Sequence, residues 1–209
     1  MQACSLETCG WGWRHSATNS DGTALVYHLS PPTDFEKGEK YPLVIIFTGV
    51  RWRPQEGNVP AAGSFLASCN VVSANEENIV TFYQAAIKNP SIDTNRVYLL
   101  GVSGGAALAV RLLEDRPELW RGAILLSPVT FPDVSRLKAS RILIDSGLND
   151  NYLKQVGGLS RLTKFQDAAA LAGIPVTLSV NKDASHVYRS KAAKRQRVRQ
   201  ILEFVAADN

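Results

Sequence analysis

Two hydrophobic periods alternate along most of the chain: short apolar runs, and longer segments in which apolar residues return every three or four positions. The first pattern is typical of buried strands and the second of amphipathic helices. The predicted strands are 24–29, 43–47, 70–73, 96–100, 122–127, 141–145 and 176–180. The predicted helices are 64–68, 76–88, 104–116, 160–172 and a C-terminal segment. This order predicts an α/β fold with a mainly parallel central sheet and helices on both faces.

The length of the chain suits one domain. Its 209 residues are enough to bury a substantial single core, and no internal repeat or low-complexity linker indicates a second one. Residues 1–20 are rich in Trp, Ser, Thr and Gly and are interpreted as an N-terminal extension, either an edge strand or a hairpin. Residues 21–209 are predicted to form the α/β domain.

Composition narrows the classes of protein. A chain with 45% hydrophobic and 20% charged residues is ordinary for a globular domain. None of its apolar runs is long enough to cross a bilayer, so no membrane span is expected. No Cys and His residues have metal-ligand spacing, so neither a metal nor a cofactor is expected. The N-terminus lacks a secretory pattern, which predicts a cytoplasmic protein if that start is native and a secreted one if a signal peptide was removed.

Positive charge is concentrated near the C-terminus. Six cations and no acid lie between 189 and 199, whereas the whole chain has a net charge of +4. Such a run is a phosphate footprint in nucleic-acid-binding proteins. However, Val198, Ile201, Leu202 and Val205 recur at helical spacing, which favours the solvated face of an amphipathic helix. We therefore expect no nucleic-acid partner, and an anionic surface stays as the alternative.

The segment Gly101-Val102-Ser103-Gly104-Gly105 lies where a predicted strand meets a predicted helix. A G-x-S-x-G sequence in that context is typical of a nucleophile elbow, whose sharp turn exposes the serine hydroxyl. The glycines remove side chains that would collide with the neighbouring strand and helix. The alternative is that Ser103 only caps the helix that follows it.

A serine nucleophile needs a base, and the chain has three histidines. His186 follows the last predicted strand, so it should lie at the carboxyl edge of a parallel sheet, beside the elbow. His28 lies within a predicted strand and His15 precedes the sheet, which favours other roles for both. The alternative for His186 is a loop residue that caps the last helix.

The acid of such a site should lie between Ser103 and His186 in the sequence. Asp145 and Asp150 are the candidates. Asp145 closes a predicted strand and could instead stabilise the turn. Asp150 lies in the loop beyond Gly147, where its side chain could reach His186, so Asp150 is favoured.

Acyl transfer also requires hydrogen-bond donors for the negatively charged oxygen of the tetrahedral intermediate. The backbone N–H of Gly104, directly after the nucleophile, is the first candidate. The second is a backbone N–H in the loop after strand 43–47, and Val50 is the best candidate there.

With Ser103, Asp150 and His186 in this order, the chain resembles the α/β-hydrolase superfamily. Segments 21–29, 40–47 and 92–105 look like its esterase, dienelactone-hydrolase-like and prolyl-oligopeptidase-like branches. Gly147-Leu148-Asn149-Asp150 looks like the G-x-x-D acid segment of the superfamily, which supports Asp150 over Asp145. The resemblance covers about residues 21–205 and implies an α/β-hydrolase fold with a Ser-Asp-His triad.

Two features of the chain qualify this resemblance. Thr48-Gly49 stands where most relatives carry His-Gly at the end of the oxyanion strand, so the loop that should provide Val50 differs. The segment between strand 122–127 and strand 141–145 is too short for a large cap, which implies a small, open site.

The predicted function is hydrolysis of carboxylic esters through an acyl-enzyme on Ser103, with a small-molecule or polymer-linked ester as substrate. A serine peptidase or an acyltransferase with the same triad is the second hypothesis. A catalytically silent binding protein that keeps the fold is the third.

Overall fold

The structure is a computed structural model, and it describes residues 13–18, 20–22, 24–48, 64–69, 76–138 and 140–207. Eight strands form one sheet within these residues. The strands are β1 Trp13–Thr18, β2 Ala24–Ser30, β3 Tyr41–Thr48, β4 Phe65–Cys69, β5 Ile92–Val102, β6 Gly122–Leu126, β7 Arg141–Gly147 and β8 Val176–Asn181. The α-helices are α1 Glu76–Ala86, α2 Gly104–Asp115, α3 Asn151–Gln155, α4 Gly158–Leu171 and α5 Lys191–Ala206.

The order of the strands in the sheet is β1-β2-β4-β3-β5-β6-β7-β8. The strands from β4 to β8 in this order pair in parallel, and only β1 with β2 and β2 with β4 pair antiparallel. The predicted mainly parallel sheet is therefore confirmed. Since β5 to β8 are adjacent and parallel, the loops that follow these four strands leave the sheet at the same edge.

The central strands bury side chains on both faces, which explains their uninterrupted apolar sequences. On one face, Ile45 and Leu99 lie in a core that includes residues of α1, α2 and α4. On the other face, Ile46 and Leu100 belong to a second cluster that includes the apolar side of α5. Helices on both faces are thus confirmed.

Helix α5 accounts for the basic run near the C-terminus. Its buried residues are Ile201, Phe204 and Val205. Most of its cations are exposed, as predicted for the solvated face of an amphipathic helix. The exception is Arg197, whose side chain is only 13% exposed. Among the described residues, none of the helices combines the length and apolar character that crossing a bilayer requires.

One predicted element is wrong. Residues 64–68 were predicted to be helical, but Phe65–Cys69 forms strand β4. It pairs in parallel with β3 and antiparallel with β2, so backbone partners on both sides outweigh the helix propensity of Leu and Ala. The strand predicted at 70–73 lies outside the described residues.

Gly101 lets α2 approach β5 closely. A Cβ atom at this position would lie 2.5 Å from both the Ala106 Cα and the Gly105 carbonyl oxygen. Since both contacts are with backbone, no side-chain rotation could relieve them. Gly104, three residues later in the same motif, has open space where its Cβ would be.

We expect Gly101→Ala to lower the free energy of unfolding by about 2 kcal/mol or more, because the helix must move away from the sheet. Gly104→Ala is the matched control, and we expect it to leave stability unchanged or slightly raised, since Ala is the better helix former. Urea denaturation monitored by circular dichroism measures both changes. Equal stability of the two variants would contradict the close approach.

Candidate active site

Ser103 occupies the sharp turn between β5 and α2. Its backbone has φ 54° and ψ −118°, a conformation that residues other than glycine rarely adopt. Its amide donates a hydrogen bond of 2.9 Å to the carbonyl oxygen of Leu126, which ties the turn to the end of β6. The side chain makes no capping hydrogen bond to α2. The interpretation of Ser103 as a simple helix cap is therefore wrong.

His186 lies in the loop between β8 and α5, and its ring reaches Ser103. The His186 Nε2 atom is 2.8 Å from the Ser103 Oγ atom. On the other side of the ring, Nδ1 is 2.7 Å from Asp150 Oδ2. The side chain of His186 is 21% exposed, so it is partly accessible to solvent. The structure brings together the three residues that the sequence predicted as a triad.

Asp150 is fully buried and uses its two carboxylate oxygens for different purposes. As the N-cap of α3, it accepts hydrogen bonds on Oδ1 from the amides of Tyr152 and Leu153, at 2.9 and 3.3 Å. The other oxygen, Oδ2, faces His186. One short helix thus orients the acid and leaves a single oxygen for the imidazole.

Asp145, the alternative acid, belongs to a different group of contacts. It lies on β7, is also buried, and pairs with Arg197. Its Oδ2 accepts a hydrogen bond of 2.9 Å from Ser179 Oγ. Both of its oxygens are engaged away from the imidazole, so the structure favours Asp150.

The structure describes most, but not all, of the remaining candidate residues. Gly104 is exposed at the start of α2, where the first backbone N–H groups of a helix have no partner within it. Val50 lies outside the described residues. His15 and His28 lie on β1 and β2, at one end of the strand order. The strand that precedes His186, β8, is at the other end.

Two residues outside the predicted site, Ser127 and Arg197, contact the His186 loop. Ser127 follows β6, is fully buried and has φ 47°. Its Oγ donates a hydrogen bond of 2.9 Å to the His186 carbonyl oxygen and accepts one of 3.2 Å from Arg197 Nη2. A signal for Arg197 was present, because it precedes Ile201 by four residues and so shares the apolar side of α5.

Among the parts of the chain that the structure describes, no three His, Cys, Asp or Glu side chains are grouped so that they could hold a metal ion.

The fold and part of the sequence are similar to those of known proteins. Residues 73–140, which include β5, Ser103 and α2, match the sequence model of the prolyl oligopeptidase family. The chain superimposes on dipeptidyl peptidase 4 from Porphyromonas gingivalis with a TM-score of 0.71 and 15% identity, covering 94% of this chain and 36% of that one. The chain is an α/β-hydrolase-fold protein. The α/β-hydrolase fold that the resemblance implied is thus confirmed.

Two further structures show how the length of this α/β-hydrolase-fold protein compares with others. A puromycin-hydrolyzing peptidase from Mycobacterium tuberculosis matches with a TM-score of 0.75 and 14% identity, over 93% of this chain and 40% of that one. A thermophilic esterase from Thermogutta terrifontis, in a propionate-bound form, matches with a TM-score of 0.70 and 16% identity, over 95% of this chain and 94% of that one. The chain thus spans well under half the length of these peptidases. The comparison with curated protein sequences gave no match.

The backbone at Ser103 makes a prediction about stability. A positive φ disfavours any side chain with a Cβ, so we expect Ser103→Gly to be about 1 kcal/mol more stable than Ser103→Ala. Ser160, exposed in α4, is the matched control, where Gly should be less stable than Ala by about 1 kcal/mol because of helix propensity. Thermal or urea denaturation of the four variants measures both differences. The same order of Gly and Ala at both positions would contradict the strained turn.

Proposed function

We propose that this α/β-hydrolase-fold protein hydrolyses carboxylic esters through an acyl-enzyme on Ser103. The observation that carries the proposal is the continuous chain of contacts from Ser103 Oγ to His186 to Asp150, with distances of 2.8 and 2.7 Å. A serine hydroxyl becomes nucleophilic when a neighbouring base accepts its proton, and an oriented imidazole is such a base.

The proposed reaction has two halves. Ser103 Oγ attacks the ester carbonyl carbon while His186 Nε2 accepts the hydroxyl proton. His186 then gives this proton to the leaving alcohol as the C–O bond breaks, which leaves the acyl group on Ser103. In the second half, His186 accepts a proton from water, the resulting hydroxide attacks the acyl carbon, and the proton returns to Ser103 as the acid leaves.

Asp150 has a positioning role in this scheme. Its Oδ2 accepts the Nδ1–H of His186, which keeps the lone pair of Nε2 directed at Ser103. The negative charge of Asp150 also stabilises the imidazolium that forms during attack. The amides of α3 hold the carboxylate in place, so it need not reorient during the reaction.

The tetrahedral intermediate carries a negatively charged oxygen. We assign one donor for this oxygen to the backbone N–H of Gly104, at the positive end of α2. The second donor, proposed at Val50, stays a prediction. Each such donor contributes about 3 kcal/mol to transition-state stabilisation.

Two observations favour an ester over a peptide as substrate. Between β6 and β7 the described chain forms only a short 3₁₀ turn, Val134–Arg136, so no cap from this segment restricts access to Ser103. The esterase from Thermogutta terrifontis matches over 94% of its own length, whereas dipeptidyl peptidase 4 matches over 36%. A small-molecule or polymer-linked ester suits such an open site.

A serine peptidase is the second candidate function. The match of residues 73–140 to the prolyl oligopeptidase family favours it. The same triad would then act on an amide carbonyl, with an amine as the leaving group.

The deciding experiment measures hydrolysis of p-nitrophenyl esters, from acetate to long acyl chains, beside aminoacyl p-nitroanilides. We expect wild-type protein to hydrolyse at least one ester and no anilide, since an activated ester is intrinsically more reactive and a faster ester rate alone would also fit a peptidase. Ser103→Ala and His186→Ala should each lose about 10³-fold or more in kcat while they stay folded. Hydrolysis of an anilide would favour the peptidase. A lack of turnover and of fluorophosphonate labelling at Ser103 would refute a serine hydrolase of either kind.

Asp150→Asn tests whether the two carboxylate oxygens have separate roles, one capping α3 and the other facing His186. An amide oxygen can still cap α3, so stability should fall by less than about 1 kcal/mol. The amide nitrogen then faces His186 and favours the tautomer that cannot accept the Ser103 proton, so kcat should fall by about 10⁴-fold.

The matched control for this variant is Asp183→Asn, in the same loop as His186 but exposed, which should keep wild-type kcat. Thermal denaturation and steady-state kinetics measure the two effects separately. Unchanged kcat in Asp150→Asn would remove Asp150 from the mechanism.

A further inference from the structure

A buried ion pair contacts the loop that carries His186. Arg197 of α5 pairs through its Nε atom with Asp145 Oδ1 at the end of β7. The side chains are 13% and 2% exposed, respectively. Asp145 also accepts a hydrogen bond of 2.9 Å from Ser179 Oγ, on the neighbouring strand β8. The triad described above uses neither charged residue.

The guanidinium of Arg197 also connects to the backbone of His186. Its Nη2 atom donates to Ser127 Oγ at 3.2 Å, and this hydroxyl donates its own proton to the His186 carbonyl oxygen at 2.9 Å. The hydroxyl has one hydrogen, and its lone pairs face a cation that can only donate. The direction of both bonds is therefore determined.

A second contact holds the same loop two residues later. The guanidinium carbon of Arg197 lies 3.4 Å from the centre of the Tyr188 ring. Burial raises the pKa of the Tyr188 hydroxyl, and the charge of Asp145 raises it further, so the ring stays neutral. A neutral ring face attracts a cation. Arg197 thus contacts the loop through Tyr188 and, by way of Ser127, through the His186 carbonyl.

The strained backbone of Ser127 indicates a functional role for its hydroxyl. With φ 47°, this position would suit glycine better than any residue with a Cβ. A strained backbone conformation persists when the surrounding contacts determine it, and such residues concentrate at functional sites. Here the strained residue carries the hydroxyl that joins Arg197 to His186.

From these contacts we propose that Arg197, oriented by Asp145 and acting through Ser127, is a positioning residue that sets the place of the His186 imidazole relative to Ser103. The effect that we expect Arg197 to have on kcat rests on the proposed function. A displacement of about 1 Å in a reacting group can lower the rate by about 10²-fold. If the His186 loop lost these contacts, a displacement of this size would lower kcat.

The test compares Arg197→Gln, Arg197→Lys and Ser127→Gly with wild type. The matched control is Arg199→Gln, which removes an exposed cation from the same helix. We expect Arg197→Gln to lower kcat by about 10²-fold, with KM changed less than about threefold, because substrate binding does not depend on the proton transfer. Arg197→Lys should recover part of the loss, since an ammonium can pair with Asp145 but cannot also reproduce the planar fork toward Ser127.

If loss of the ion pair unfolds Arg197→Gln, Ser127→Gly still tests the proposal. It removes only the hydroxymethyl group and relieves the strain of the positive φ, so the fold should be retained while kcat falls by about tenfold. Combined with Arg197→Gln, it should add little further loss, since both changes break one connection. Retention of wild-type kcat in folded Arg197→Gln and in Ser127→Gly would overturn the proposal, and so would equal losses in Arg199→Gln.

A second readout separates this proposal from the proposed function. The Nδ1 proton of His186, held by Asp150, gives a downfield proton NMR signal that requires neither substrate nor an active Ser103. We expect this signal in wild type and in Ser103→Ala, and its loss or faster exchange with solvent in Arg197→Gln and Ser127→Gly. If no substrate is turned over, the proposed function fails while this signal still tests the positioning role. An equally sharp signal in all variants would refute that role.

Discussion

Parallel hydrogen bonding between β5, β6, β7 and β8 is the constraint on which the candidate site depends. Adjacent parallel strands run in one direction, so the chain leaves all four at the same edge of the sheet. Ser103 follows β5, Ser127 follows β6, Asp150 follows β7 and His186 follows β8. Residues separated by up to 83 positions in the sequence therefore meet within hydrogen-bond distance.

The site places two buried carboxylates close in sequence and gives each its own partners. Asp150 is satisfied by two amides of α3 and by His186. Asp145 is satisfied by Arg197 and Ser179. A buried charge without such partners would be destabilising, so neither carboxylate can leave its own contacts for those of the other without a loss of stability. This separation leaves His186 with a single acid.

Two strained backbone positions lie at this same edge of the sheet. Among the described residues, Ser103 and Ser127 are the two non-glycine residues with positive φ, and they follow neighbouring strands. The amide of Ser103 bonds to the carbonyl of Leu126, the residue before Ser127, so the two turns support each other. Each strained position presents a hydroxyl to His186, one to its ring and one to its carbonyl oxygen.

By itself, the sequence determined the parallel α/β architecture, and it predicted the turn at Ser103 and the two residues, Asp150 and His186, whose side chains lie next to it. These are encoded locally, in apolar runs, in a glycine motif between a strand and a helix, and in the chain order of acid and base. Only the tertiary structure decided that Phe65–Cys69 is a strand, because its backbone partners lie on β2 and β3. It alone also decided that Arg197 pairs with Asp145, 52 residues earlier, since helical spacing gives the face of a residue but not the neighbour on the opposite surface.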